Sequence, residues 1–304
     1  GAWTAEQCRG CFRDDPALPP KLRPSELETN HPFAKEAGLF QGTQFLDIGG
    51  ASARGVLTVE VLQSFFDKYV DRLFQAIKMD MSPVMRGAPW EHVSRDFCQV
   101  TTLITMLRAC LADASSESDS GEPRVERIFL YCLTWALGGM LTARDRPKLN
   151  DEMRKLSGDL APRFEEDGDT FFEYFVSEDT MDWMHWATRV PAWEYPAAEE
   201  KPKFARLIIP TLDSVRLDRL LDLVTSVNEK ALFVGGPGTA KTTVMKQFMA
   251  RSDDEGAPAF TQKAITFSSL TTPQTFQLSV EASVEKRSGK TYGPPGQKKM
   301  IVFV

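Results

Sequence analysis

At 304 residues the chain is long enough for two domains of ordinary size, each burying its own core. A composition of 42% apolar and 26% charged residues is that of a globular protein, with no run of about 18 apolar residues to cross a bilayer and no secretory leader pattern at its start. The net charge of -6 argues against a polyanion-binding surface spread over the whole chain and leaves room only for a local basic patch, so nucleic acid is not an expected partner, nor, without an apolar span, is a membrane. Five scattered cysteines make no disulfide framework and fit a reducing compartment. Cys8 and Cys11 form one CxxC, but His31, His92 and His185 are isolated, so no zinc-type site is expected.

Residues 1–55 are rich in Pro, Gly and polar residues and carry no sustained period. From Val56 the pattern changes: Leu57, Val61, Leu62, Phe65, Tyr69, Leu73, Phe74 and Ile77 recur three and four apart, which predicts an amphipathic helix ended by Pro83 and Pro89. A second helix is expected from Asp96 to Ala112, then a loop over ASSESDSGEP, then a buried helix from Arg124 that breaks at Gly138 and Gly139. A short helix from Asn150 to Leu156 precedes two aromatic stretches, DTFFEYFV and MDWMHWATRVPAWEYP, read as packing anchors. Pro191, Pro196 and Pro202 mark a linker, with a domain boundary near residue 203.

Beyond that boundary the period becomes that of an α/β unit. Residues 207–210 are a short extended lead-in, Leu212 to Val227 a helix, and Lys230 to Val234 a fully apolar strand. A helix from Thr242 to Ala250, a strand from Ala264 to Ser268, a helix from Pro273 to Arg287 and a strand from Met300 to Val304 complete the order. Glu281 and Glu285 then share one helix face, where a solvated position outweighs a catalytic one.

Between the apolar strand and the next helix stands Gly235-Gly236-Pro237-Gly238-Thr239-Ala240-Lys241-Thr242, with the spacing of a phosphate-binding loop. Glycines let backbone N–H groups curl round a phosphate, and the helix N-terminus adds its positive end. In this reading Lys241 reaches the β- and γ-phosphates, the Thr242 hydroxyl ligates Mg²⁺, and Thr243 adds a second hydroxyl. The usual second glycine is Ala240, which a right-handed dihedral would accommodate and a positive φ would not. The expected ligand is ATP, or ADP after turnover. No catalytic acid is placed within the chain, because any carboxylate pair following the last strand lies beyond Val304.

The segments IIPTLDSVRLDRLLDLV, ALFVGGPGTAKTTVMKQFM and ITFSSLTTPQTFQLSVEASVEKRSGKTYGPPGQKKMIVFV resemble the third AAA module of dynein heavy chains, most closely those of axonemal outer-arm type. The alanine of GTAKT belongs to that pattern. Upstream, LYCLTWALGGML, FFEYFV and VPAWEYP resemble the connection from the second module's helical lid. The resemblance implies an AAA+ P-loop α/β large domain, incomplete at its C-terminus, over 204–304, preceded by a mainly α-helical lid and connector over 56–203, with 1–55 unassigned. It further implies that Ile209 and Pro210 line the adenine pocket, and that nucleotide state here regulates a microtubule motor of ciliary movement. Implied partners are the other AAA modules of the same heavy chain, dynein intermediate and light chains, and microtubules through regions outside this chain. The implied location is the cytoskeleton of the cilium or flagellum axoneme. A non-hydrolysing nucleotide-binding scaffold is the alternative from another class.

Overall fold

The structure, a computed structural model, describes residues 59–80, 89–112, 122–177, 179–180, 182–195, 209–251, 260–289 and 291–304. The CxxC at Cys8 and Cys11, residues 114–121 of the expected loop, Pro196 and Pro202 of the expected linker, and residues 252–259 lie outside the described residues. The chain divides into two compact units, one holding the described residues up to Ala192 with Leu223–Glu229, the other Trp193–Asp222 and Lys230–Val304.

The first unit opens with α1 (Val59–Phe65), a π-helical turn (Phe66–Val70) and α2 (Asp71–Asp80), joined through right-handed backbone at Phe65 and Asp71. Phe65, Tyr69, Leu73 and Ile77 are all buried. They recur every four residues, and a straight α-helix of 3.6 residues per turn lets such a row drift round its axis. The wider π turn takes up that drift and keeps the row on one face.

Helix α3 (Pro89–Ala112) begins seven residues before the expected Asp96. Pro89 therefore starts this helix, because a proline in the first turn gives up no hydrogen bond and brings a suitable φ. It packs against α4 (Glu122–Gly138), whose Phe129 is fully buried with ring centroids 5.5, 5.3 and 6.0 Å from Phe65, Phe66 and Tyr69. One turn earlier, Glu126 accepts from the Tyr69 hydroxyl at 2.5 Å and pairs with Lys68 at 2.7 Å. Burial, with that carboxylate beside it, pushes the Tyr69 hydroxyl far above its ordinary range.

Gly138 ends α4 where a Cβ would meet the Phe172 ring at 2.3 Å and Leu149 at 2.8 Å. Helix α5 (Arg146–Ser157) is longer than the expected Asn150 to Leu156, with Pro147 in its first turn. Asn150 then accepts from the Phe171 N–H at 3.1 Å, tying α5 to the aromatic segment. That segment is a capped turn, in which Thr170 and Glu173 satisfy each other's backbone donors, followed by a small antiparallel ladder of β1 (Tyr174–Val176) and β2 (Trp183–His185). Phe171, Phe172, Tyr174, Phe175 and Trp186 are buried, which bears out the packing reading for them. Trp193 and Tyr195 are exposed instead, 37% and 62%, with their rings edge to face.

In the second unit α6 (Leu212–Ser226) starts at a reciprocal pair, the Thr211 N–H donating to Ser214 Oγ and the Ser214 N–H to Thr211 Oγ1. Its Leu221 joins Val244 and Phe248 of α7 (Lys241–Met249) in the core, with Leu217, Phe233, Met245, Phe260 and Ile301 packed round them. Strands β3 (Phe260–Ala264) and β6 (Lys299–Phe303) pair in parallel, Phe260 opposite Lys299 and Ala264 opposite Phe303. The β3 strand therefore lies four residues earlier than the expected Ala264 to Ser268. Phe260 anchors it by stacking on Phe248, whereas Phe267 stays 54% exposed against Phe276.

The expected helix from Pro273 to Arg287 stops early. Helix α8 (Pro273–Glu281), capped by Thr272, gives way to a hairpin of β4 (Glu285–Ser288) and β5 (Thr291–Gly293), with Gly289 at φ 57 beside the turn. Glu281 and Glu285 consequently do not share a helix face: Glu281 ends α8 and accepts from Gln277, and Glu285 starts β4. Residues 230–234 form no ladder with any strand among the described residues. Phe233 is half-buried on the core while Leu232 and Val234 are 82% and 59% exposed, so the pairing and cover that a fully apolar strand needs are not supplied there.

Candidate nucleotide-binding site

Residues 235–240 form an exposed loop that leads straight into α7. Two of its residues are left-handed, Gly238 at φ 77 and Ala240 at φ 58, ψ 9. Ala240 is the N-cap of α7, and its carbonyl accepts the first helical bond from the Val244 N–H at 3.0 Å. It has no side-chain oxygen with which to cap the helix. The first-turn N–H groups of Lys241, Thr242 and Thr243 therefore lack an intrahelical partner, and the positive end of the helix dipole lies beside the loop.

Ala240 thus takes the positive φ that, on sequence alone, an alanine is not expected to accommodate. A Cβ in the left-handed region crowds the following carbonyl, at about 1–2 kcal/mol for an ordinary residue. Glycine is free of that crowding but gains more freedom in the unfolded chain, which offsets part of the benefit. Ala240→Gly is accordingly expected to stabilise this unit by about 0.5–1 kcal/mol. Denaturant titration checks this, and a lowered midpoint would count against the left-handed conformation.

Lys241 closes over the loop. Its Nζ donates to the carbonyls of Gly235 at 2.9 Å and Gly236 at 2.5 Å and to Thr239 Oγ1 at 3.0 Å, while the Thr239 hydroxyl donates to the Gly236 carbonyl. Thr242 and Thr243 are exposed in the first turn, Pro237 is exposed within the loop, and Ile209 (55% exposed) and Pro210 stand just before Thr211 and α6. The arrangement brings together an ammonium, uncapped backbone donors and two hydroxyls, a donor set suited to a polyphosphate.

The far end of α7 is held by an arrangement that sequence pattern alone did not single out. Arg251 reaches back to α6, pairing with Asp222 at 2.5 Å and also with Asp218, and its guanidinium lies 4.8 Å from the Phe248 ring centre. Burial raises the Asp218 carboxyl above its ordinary value, and Arg251 opposes that rise. The signal was present in the four-residue spacing of Asp218 and Asp222 on one helix face, with a lone arginine just past the next helix.

Known protein families match two stretches of the chain. Residues 62–188 match the dynein heavy chain AAA lid domain, and residues 196–304 match the P-loop containing dynein motor region. The chain is 45% identical over 240 residues to the dynein gamma chain of the flagellar outer arm of Chlamydomonas reinhardtii, covering 79% of this chain and 5% of that one. It is 34% identical over 207 residues to dynein axonemal heavy chain 5 of Rattus norvegicus, covering 67% and 6%. With dynein axonemal heavy chain 8 of Homo sapiens it shares 28% over 246 residues, covering 80% and 5%. The chain spans about a twentieth of the length of these relatives. A mainly helical lid followed by a P-loop α/β unit, each matching its own dynein profile in the same order, makes this chain a member of the dynein heavy chain family.

Proposed function

We propose that this chain is a nucleotide-binding segment of an axonemal dynein motor, running from the second AAA module's lid into the third module, with the boundary near residue 203. The loop at 235–240 carries this reading, with left-handed backbone at Gly238 and Ala240 and Lys241 folded over it. Backbone N–H groups of residues 236–242 hold the phosphates, Lys241 pairs with the β- and γ-oxygens, and Ile209 with Pro210 contacts the adenine. The ligand is ATP or ADP. Mg²⁺ is held by the Thr242 hydroxyl together with phosphate oxygens.

Nucleotide state at this site regulates the motor in cilia and flagella. The partners are the other AAA modules of the same heavy chain, the intermediate and light chains of the complex, and microtubules through other parts of the protein. Family membership favours this module over a non-hydrolysing scaffold. Titration calorimetry of the chain with ATP and ADP tests the reading. Binding is expected to weaken about tenfold or more for ATP when Mg²⁺ is withheld. Absence of binding heat for both nucleotides, in a sample with a folded circular-dichroism spectrum, would overturn it.

A further inference from the structure

We propose that Cys110 and Cys132 form a modification site within the lid, a dithiol that a small disulfide oxidant converts into a cross-link between α3 and α4. The two sulfurs lie 3.8 Å apart, with the Cys132 thiol donating to Cys110. One comes from the last turn of α3 and the other from the middle of α4, two helices already packed against one another. A disulfide needs a separation of about 2 Å, which side-chain rotation and local movement of the packed helices would supply.

The two thiols differ in access. Cys132 is fully buried, whereas Cys110 is half-buried. Burial, reinforced by the hydrogen bond to Cys110, pushes the Cys132 thiol well above its usual range. A thiol held protonated is a poor first nucleophile, so the oxidant is met by Cys110.

The exchange balances in two steps. The Cys110 sulfur attacks one sulfur of the oxidant RSSR, its S–S bond breaks, and the departing thiolate takes the proton lost by Cys110 and leaves as RSH. The Cys132 sulfur then attacks Sγ of Cys110, the mixed disulfide breaks, and the Cys132 proton leaves with the second RSH. Two protein thiols are oxidised by two electrons, and the oxidant is reduced to two thiols. The cross-link closes a loop spanning the connection between the two helices and stiffens the lid.

The test is to incubate the whole chain with oxidised glutathione under native conditions, digest it without reduction, and map the linkages by mass spectrometry. A Cys110–Cys132 peptide is expected in the native sequence and in Cys98→Ser, and is lost in Cys110→Ser. In Cys132→Ala, which leaves a small apolar group in the buried position, glutathione is expected to remain on Cys110. The oxidised chain is expected to unfold about 5 °C higher or more, and dithiothreitol reverses the shift. Glutathione retained on Cys110 of the native sequence with Cys132 free, or Cys110 linked to a different cysteine, would falsify the proposal.

Discussion

Lys241→Ala is expected to weaken ATP and ADP binding about a hundredfold or more, with little change in fold stability. The ammonium supplies charge-assisted bonds to phosphate oxygens, each worth about 1.5–3 kcal/mol, and about 2.7 kcal/mol is a hundredfold in affinity. Its present partners are loop carbonyls and a hydroxyl, all exposed, so removing it leaves no buried group unpaired. Denaturation midpoints of variant and native chain should therefore agree within about 0.5 kcal/mol. Calorimetry and denaturation on the same preparations separate the two readouts. Affinity within threefold of the native value would show that Lys241 does not face the phosphates.

The largest effect on stability is expected at Phe129. Its ring is fully buried among Phe65, Phe66 and Tyr69, joining the first helical segment to α4. Phe129→Ala removes these contacts and leaves a cavity, a change that costs about 3–5 kcal/mol where the surroundings cannot collapse. Collapse is restricted because the Tyr69 hydroxyl is fixed on Glu126, one turn away. Near-ultraviolet circular dichroism during denaturation reports this loss. A destabilisation below about 1 kcal/mol would mean that the helices close over the gap.

Much of the fold is legible in the residues where period and caps agree. The row from Phe65 to Ile77, the apolar block of α4 and the loop from Gly235 to Thr242 each announce their element, because burial and phosphate chemistry both demand a fixed spacing. What escapes the pattern is decided by partners distant in sequence. Phe260 pulls β3 upstream because Phe248 is there to stack on, and no local period records that. The hairpin after α8 is polar on both faces, all of β4 being exposed, so neither a strand nor a helix period is written into it. Ala240 is a conflict between local preference and function, since the methyl disfavours the dihedral that the loop adopts. The Arg251 pairing joins residues 29 and 33 positions apart and becomes visible only once α6 and α7 are side by side.

The π turn in the first helix has a consequence for chain length. Five residues there advance the helix about as far round its axis as four do in an α-helix, so the segment carries one residue more than a straight rod requires. Asp67 is exposed and bonds only locally, accepting from Gln63. Deleting it would leave Phe65, Tyr69, Leu73 and Ile77 at successive spacings of three, four and four, which a regular α-helix keeps on a single stripe. The helix thus has a seam at which its length can change by one residue while the buried face, and everything threaded after it, stays in phase.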